Sequence, residues 1–339
     1  MTDIAAVSAD ARPSTIRMIW IAAALGGCFV LIRSGLADAP TLWFATLRAL
    51  LAGIVLVGLA TARHRPVPHG ARQWGIVAAL GLANGTIGLG AMYLGAAHLS
   101  TGVASVVANA QPLLIVLPAW ALYRERPTRR VITGLVVGIV GLIIVAIPAG
   151  GGSGAVLSLS SAAAATTGTL IARRLGTLDN LAAAGWSFLL GAVGLAGWSA
   201  ATEGVPQIHW NVQFVAILAF LGIIGTAAVY VAWFKEARRC PLYRLAAWTF
   251  AVPLFGLALA VVVNGERPSL ATASGLFVVL VSMWIVLGGR RQRRAADRSP
   301  FLTAESLTET DTPPDDRTII APPPRPECPG GGHKFPGSG

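Results

Sequence analysis

The chain predicts an all-α integral membrane protein, with ten transmembrane helices built as two inverted five-helix repeats and both termini cytoplasmic. Three observations carry that expectation. Apolar runs of membrane-spanning length recur through the first 290 residues; Lys and Arg fall almost entirely on one side of them; and one short phrase is written twice.

The apolar runs come first. Mean hydropathy is +0.66 and only 12% of residues are charged, too few to cover a water-soluble core of this size. A helix needs about 20 residues to cross roughly 30 Å of hydrocarbon. Cut at Pro, Gly and Arg punctuation, the runs fall at 18–36, 41–61, 74–97, 102–123, 131–148, 154–172, 181–200, 213–234, 241–263 and 270–288. Acids respect these limits: between Asp38 and Glu266 only Glu125, Asp179, Glu203 and Glu236 occur, each at the edge of a run. Residues 1–17 are polar and lack the apolar core and cleavage site of a secretory signal, so they read as a cytoplasmic lead-in to a retained first span. Pro, Gly, Thr and Asp dominate after residue 298, and 299–339 reads as a disordered cytoplasmic tail.

Charge sets the orientation. With the N-terminus inside, the inner segments up to Arg298 hold nineteen Lys and Arg residues, from Arg12 and Arg17 through Arg129 and Arg130, and the outer loops hold Arg267 alone. That asymmetry is the positive-inside pattern, and it places both termini in the cytoplasm of an inner-membrane protein. It also removes the nucleic-acid reading of a net charge of +11, because the basic residues face anionic lipid instead. Trp20, Trp43, Trp74, Trp120, Trp198, Trp210 and Trp284 sit near span ends, as an interfacial belt requires.

The doubled phrase sets the architecture. Glu125-Arg126-Pro127-Thr128 and Glu266-Arg267-Pro268-Ser269 are 141 residues apart. The same shift lays Gly27 on Gly168, Arg33 on Arg174, Gly81 on Gly222, Pro112 on Pro253 and Thr133-Gly134-Leu135 on Ser274-Gly275-Leu276. Five spans per unit is an odd number, so the second copy must enter the membrane upside down. The predicted repeats are therefore 18–148 and, inverted, 154–288.

A Pro-x12-Glu-Arg pattern followed by a final Gly-containing helix, twice in about 290 residues, resembles the EamA family of the drug/metabolite transporter superfamily. The resemblance covers nearly all of the membrane part and stops at the tail. It implies a ten-helix permease with a central cavity between its halves, moving amino acids or other small metabolites, often outward.

Glu125 with Arg126, and Glu266 with Arg267, sit at span ends before a proline, where they would fix a hairpin by pairing with arginines and accepting bonds from the next helix start. In span 4, Gly102, Ser105, Asn109 and Pro112 share one helical face, which either lines a cavity or bonds helices together. Pro112 frees the carbonyl of Ala108. Span 9 matches it with Tyr243, Ala246, Phe250 and Pro253, span 8 offers Thr226, Tyr230 and Trp233, and span 3 offers Asn84 beside Gly81, Gly85 and Gly88. Arg48 lies about 12 Å into span 2, where it snorkels outward or draws a carboxylate into the cavity. The candidate substrate site is Arg48, Asn84, Ser105, Asn109, Pro112, Tyr230, Trp233 and Phe250.

Absent patterns narrow the function. No acid stands at mid-membrane, which disfavours small drugs or organic cations, the alternative substrate class. His64, His69, His98 and His209 lie in loops or at span ends, and neither HExxH nor GxSxG occurs, so an embedded enzyme is not expected. A scaffold acting through its tail is the remaining class. Three scattered cysteines give no disulfide framework or metal site, and no pattern implies a cofactor or an oligomeric state. The partners expected are a small-molecule substrate and the lipid bilayer.

Overall fold

The structure, a computed structural model, describes residues 13–114, 118, 129–146, 152–172, 178–237, 248 and 251–296. Glu125, Arg126, Phe250, the second half of predicted span 4, the start of span 9 and the tail lie outside the described residues. The chain divides into a body ending at Gln292 and a C-terminal unit, of which only 293–296 are described, as the last residues of a helix.

All regular structure among the described residues is helical. The helices are α1 (Thr15–Gly35), α2 (Thr41–Ala62), α3 (Gly70–His98), α4 (Thr101–Ala108), α5 (Gln111–Leu114), α6 (Arg129–Ala146), α7 (Ser153–Ala172), α8 (Asn180–Thr202), α9 (212–237), α10 (Ala251–Asn264) and α11 (Leu270–Ala296). Among the described residues, six are long and apolar enough to cross a membrane: α1, α2, α3, α7, α8 and α9. Three shorter apolar stretches, Ile132–Val145, Ala251–Asn264 and Leu270–Ser282, fall in α6, α10 and α11. Large apolar residues stay exposed around the outside, as on α6, where Ile132, Val136, Ile139 and Ile143 form one stripe. In water such a surface would drive association; in lipid it is the solvent-facing side.

Predicted span 4 is not one continuous helix. It stops at Ala108, turns through Asn109 and Ala110, and restarts at Gln111. Pro112 is the cause the sequence offers, because it lacks the N–H that would continue the ladder and tolerates only the first turn of a new helix.

Helix pairing follows an exchange rule. One extensive interface joins α2 to α8, which the 141-residue shift relates to each other. Here glycines let backbones touch: a Cβ on Gly185 would stand 2.8 Å from the Val57 nitrogen, and one on Gly53 2.9 Å from that of Leu189. On either side, α3 packs on α8 and α9 packs on α2. Both outer helices loosen into a π-helical stretch at this point, Gly81–Leu89 in α3 and Phe220–Ala228 in α9. A π stretch lengthens the hydrogen-bonded step from four residues to five and is frequent at functional sites. Gly81 lies against Ser187 and Gly191 of α8, and its counterpart Gly222 against Leu51 of α2.

The outer pair repeats the rule at atomic detail. Ser282 of α11 donates 2.7 Å to the Gly134 carbonyl of α6, while Gly141 of α6 closes on Gly275 of α11. Shifting by 141 turns Gly134 into Gly275 and Gly141 into Ser282, so each contact maps onto the other.

Polar contacts at the helix ends join the halves. At one end Arg17 forms an ion pair with Glu236, Arg65 lies 3.6 Å from Asp179, and Arg130 Nε donates 3.1 Å to the Ile285 carbonyl. At the other, Asn211 donates 2.7 Å to Asp38, and Glu203 accepts from the Leu42 and Trp43 amides at 2.9 and 3.1 Å. Glu266 belongs to this second end but does not hold its own hairpin in the way the sequence suggests. Its carboxylate accepts from the Thr101 and Gly102 amides at 2.9 and 3.3 Å, capping α4 in the other half rather than the helix that follows it. The α11 start is already capped by Ser269 Oγ, which accepts from the Thr272 amide at 3.1 Å, whereas the α4 start has no side-chain cap of its own and offers orphan amides. Glu266→Ala is therefore expected to lower stability by about 1 kcal/mol, read as a shift of a few degrees in a detergent melt.

Candidate functional site

Arg48 is the unusual residue of the interior. It is the eighth residue of α2, about 10 Å along the axis at 1.5 Å per residue, and the stem of an arginine there could reach an interface. It does not: the residue is only 5% exposed, so the outward-snorkelling option is not the one taken. The reason is local packing. Its Nε donates 3.1 Å to Thr226 Oγ1 in the π stretch of α9, and Nη2 points at Cys28 Sγ of α1, 3.6 Å away. The guanidinium carbon stands 5.9 Å from the centre of the Tyr93 ring on α3, a cation–π distance.

Each acceptor is itself oriented. Thr226 gives its hydroxyl proton to the Leu221 carbonyl at 2.8 Å, the longer reach that a π-helical turn allows, and so turns a lone pair toward Arg48. Cys28 donates its thiol to the Ala24 carbonyl at 3.2 Å. Tyr93 is wholly buried and packs edge-on against Phe44 at 5.2 Å. Two polar atoms of the cluster make no hydrogen bond of good geometry, Arg48 Nη1 and the Tyr93 hydroxyl, although the two side chains interact with each other. Tyr230 is within electrostatic reach of Arg48 and packs edge-on against Phe188 at 5.2 Å.

Among the described residues, no carboxylate supplies a counter-charge. Asp38, Asp179, Glu203, Glu236 and Glu266 are all engaged at the helix ends described above. The groups that act on Arg48 electrostatically are Cys28 and Tyr93, neither of them a carboxylate.

The other predicted site residues are distributed. Asn84 lies directly over Gly168 of α7, where any side chain would collide with it. Ser105 is buried against Gly256 of α10 with its hydroxyl unpartnered, and Asn109 donates 2.7 Å back to the Ser105 carbonyl. Nearby Gln111 reaches Thr169 of α7 at 2.6 Å. Trp233 packs with the cluster of Met18, Ile21, Ala24 and Val229 between α1 and α9. Pro112 is the second residue of α5. Nothing in the sequence singles out Cys28 or Tyr93, and only the three-dimensional convergence of four helices identifies them. Among the described residues no group of His, Cys, Asp and Glu could hold a metal.

Two surface cavities open at opposite ends. One of about 410 Å³ is lined by Ser100, Gly102, Leu257, Glu266 and Thr272; the other, about 370 Å³, by Arg17, Val55, Leu59, Val231 and Lys235.

The chain is thus a multi-pass membrane bundle that buries a cation and polar groups among its helices. The EamA-like transporter family profile matches residues 14–147 and again 152–288, and the chain belongs to that family. It is 26% identical over 271 residues to the uncharacterized transporter YvbV of Bacillus subtilis, covering 78% of this chain and 88% of that one. It is 25% identical over 288 residues to a protein of Salmonella typhimurium named a probable amino-acid metabolite efflux pump, covering 79% and 92%. A solved crystal structure shares the fold at a TM-score of 0.61, with 20% identity over 81% of this chain and 97% of the other.

Proposed function

We propose that the protein is a secondary-type permease of the cytoplasmic membrane that exports a small amphipathic metabolite, an amino acid or a relative of one, by alternating access. Ten helices form two inverted repeats, 18–148 and 154–288, with both termini cytoplasmic. The observation that carries this reading is the exchange-related packing of the halves, in which π-helical stretches in α3 and α9 flank the α2–α8 pair. Two halves related in this way can trade conformations, and that trade moves the opening from one face to the other. The doubled family match, and the start of α6 at Arg130 lying at the opposite end from Glu266, support the same reading. The amino-acid efflux name of the Salmonella typhimurium relative supports the substrate class and direction.

The substrate site comprises Arg48, Asn84, Ser105, Asn109, Pro112, Tyr230, Trp233 and Phe250. Small drugs or organic cations are the weaker reading, because the buried charge described above is positive.

Topology tests the frame. Single cysteines at positions 125 and 266, in a chain lacking native cysteines, are expected to react with impermeant maleimide from opposite faces; labelling from one face overturns the inverted arrangement. Substrate is sought by thermal shift against amino acids, nucleosides and organic cations. With it in hand, Asn109→Leu is expected to cut flux roughly tenfold at unchanged folded yield, the worth of one buried hydrogen bond. Undiminished flux would remove span 4 from the site.

A further inference from the structure

We propose that Arg48, with Thr226 and Tyr93 beside it, is an anion-holding centre and that the transported solute carries a carboxylate that docks on it. This rests on the permease reading and adds the chemistry of its ligand. The case begins with cost. A cation this deeply buried without a counter-ion is strongly disfavoured, and in membrane interiors such residues pair with an acid, face a pathway or hold a ligand. Arg48 is 5% exposed, and every carboxylate among the described residues is committed elsewhere.

The second line is unused hydrogen-bonding capacity. Nε is spent on Thr226 and Nη2 on Cys28, while Nη1 and the Tyr93 hydroxyl make no hydrogen bond of good geometry, although their side chains interact with each other. Two neighbouring donors without a well-formed acceptor in one buried cluster suit the two oxygens of a carboxylate, and guanidinium favours planar acceptors of that kind. Cys28 does not supply the missing charge, because its thiol proton is engaged with the Ala24 carbonyl.

The third line is internal comparison. The 141-residue shift that relates the halves carries Arg48 to Leu189, Cys28 to Thr169 and Tyr93 to Phe234. The scaffold is thus built once with leucine in this position, so packing does not demand a charge there. The second half drops the arginine, the thiol and the phenol together. What distinguishes one half from the other is chemistry directed at a ligand.

The test uses purified full-length protein in detergent, melted with acetate or benzoate and, at equal concentration, with acetamide or benzamide. At about 50 mM each carboxylate is expected to raise the melting temperature about 3 °C above its neutral amide, because a ligand bound only by the folded state stabilises it. Arg48→Gln is expected to lose that difference while melting, without ligand, no lower than wild type. Thr226→Val guards against a misfolded glutamine variant: it leaves the charge in place and removes its orienting acceptor, so the difference should shrink by half or more. An advantage that persists in Arg48→Gln, or its absence from wild type, overturns the proposal. Equal protection by chloride overturns the carboxylate assignment in favour of a halide. None of these outcomes touches the permease itself, which fails separately if positions 125 and 266 label from one face.

Discussion

Gly191→Leu is expected to leave little or no folded monomer, the largest single effect anticipated in this chain. A Cβ at Gly191 would lie 2.6 Å from the Cα of Gly85 and 2.8 Å from the carbonyl oxygen of Gly81. Both obstacles are backbone, and both belong to the π stretch of α3, so no side-chain rotation relieves the clash. The reverse view is the same: a Cβ on Gly85 would meet Gly191 Cα at 2.7 Å. Separating the helices would also break the bond from Thr86 Oγ1 to the Gly191 carbonyl, now 3.1 Å. Overpacking usually costs about 1–3 kcal/mol; forcing two backbones apart should cost about 4 kcal/mol or more, most of a domain's stability. Gly197 is the control on the same helix, since a Cβ there meets nothing within 4 Å. Gly197→Leu is expected to elute as wild type does on size exclusion in detergent and to melt within about 2 °C of it. Gly191→Leu should aggregate or melt far lower. Comparable behaviour of the two would mean that α3 and α8 do not meet where the glycines bring them together.

That contact also marks how far sequence reasoning reaches. Span positions are legible because hydrophobic length is a one-dimensional signal: α1, α2, α7 and α8 start and stop within a few residues of the predicted runs. The shared shift of 141 is legible for the same reason, and it pairs Gly81 with Gly222 by residue spacing alone. The π-helical stretches are not, since their residues read as ordinary apolar helix and the widening answers to what packs against them. Arg48 shows the same division. Its depth follows from counting residues, but snorkelling or burial depends on which neighbours wait on its face, and Thr226, Cys28 and Tyr93 come from three other helices. The sequence marks Glu266 as a cap for orphan amides, and it is one, yet its partner is Thr101, 165 residues away, not the next helix. Local grammar names the kind of bond, and only folding names the partner.

Glu236→Ala is the second large effect. Glu236 is 1% exposed at the end of α9; it pairs with Arg17 of α1 and accepts from the Ser14 amide at 3.2 Å, where α1 begins. One carboxylate thus ties the first turn of α1 to the last turn of α9. Removing one partner of a buried pair costs about 3–5 kcal/mol, because the other charge stays behind unpaired. Arg17 keeps 27% of its side chain exposed, which allows partial escape toward the interface and places the cost near the lower limit, about 3 kcal/mol. Glu236→Gln should cost less, since an amide oxygen still accepts from Ser14. A double variant separates the two contributions. If the unpaired cation dominates, Arg17→Met combined with Glu236→Met should recover most of the loss in a detergent melt, as apolar replacement of buried ion pairs often does. If it melts no higher than Glu236→Ala, the carboxylate's other bonds, that from the Ser14 amide among them, matter more than its pairing with Arg17.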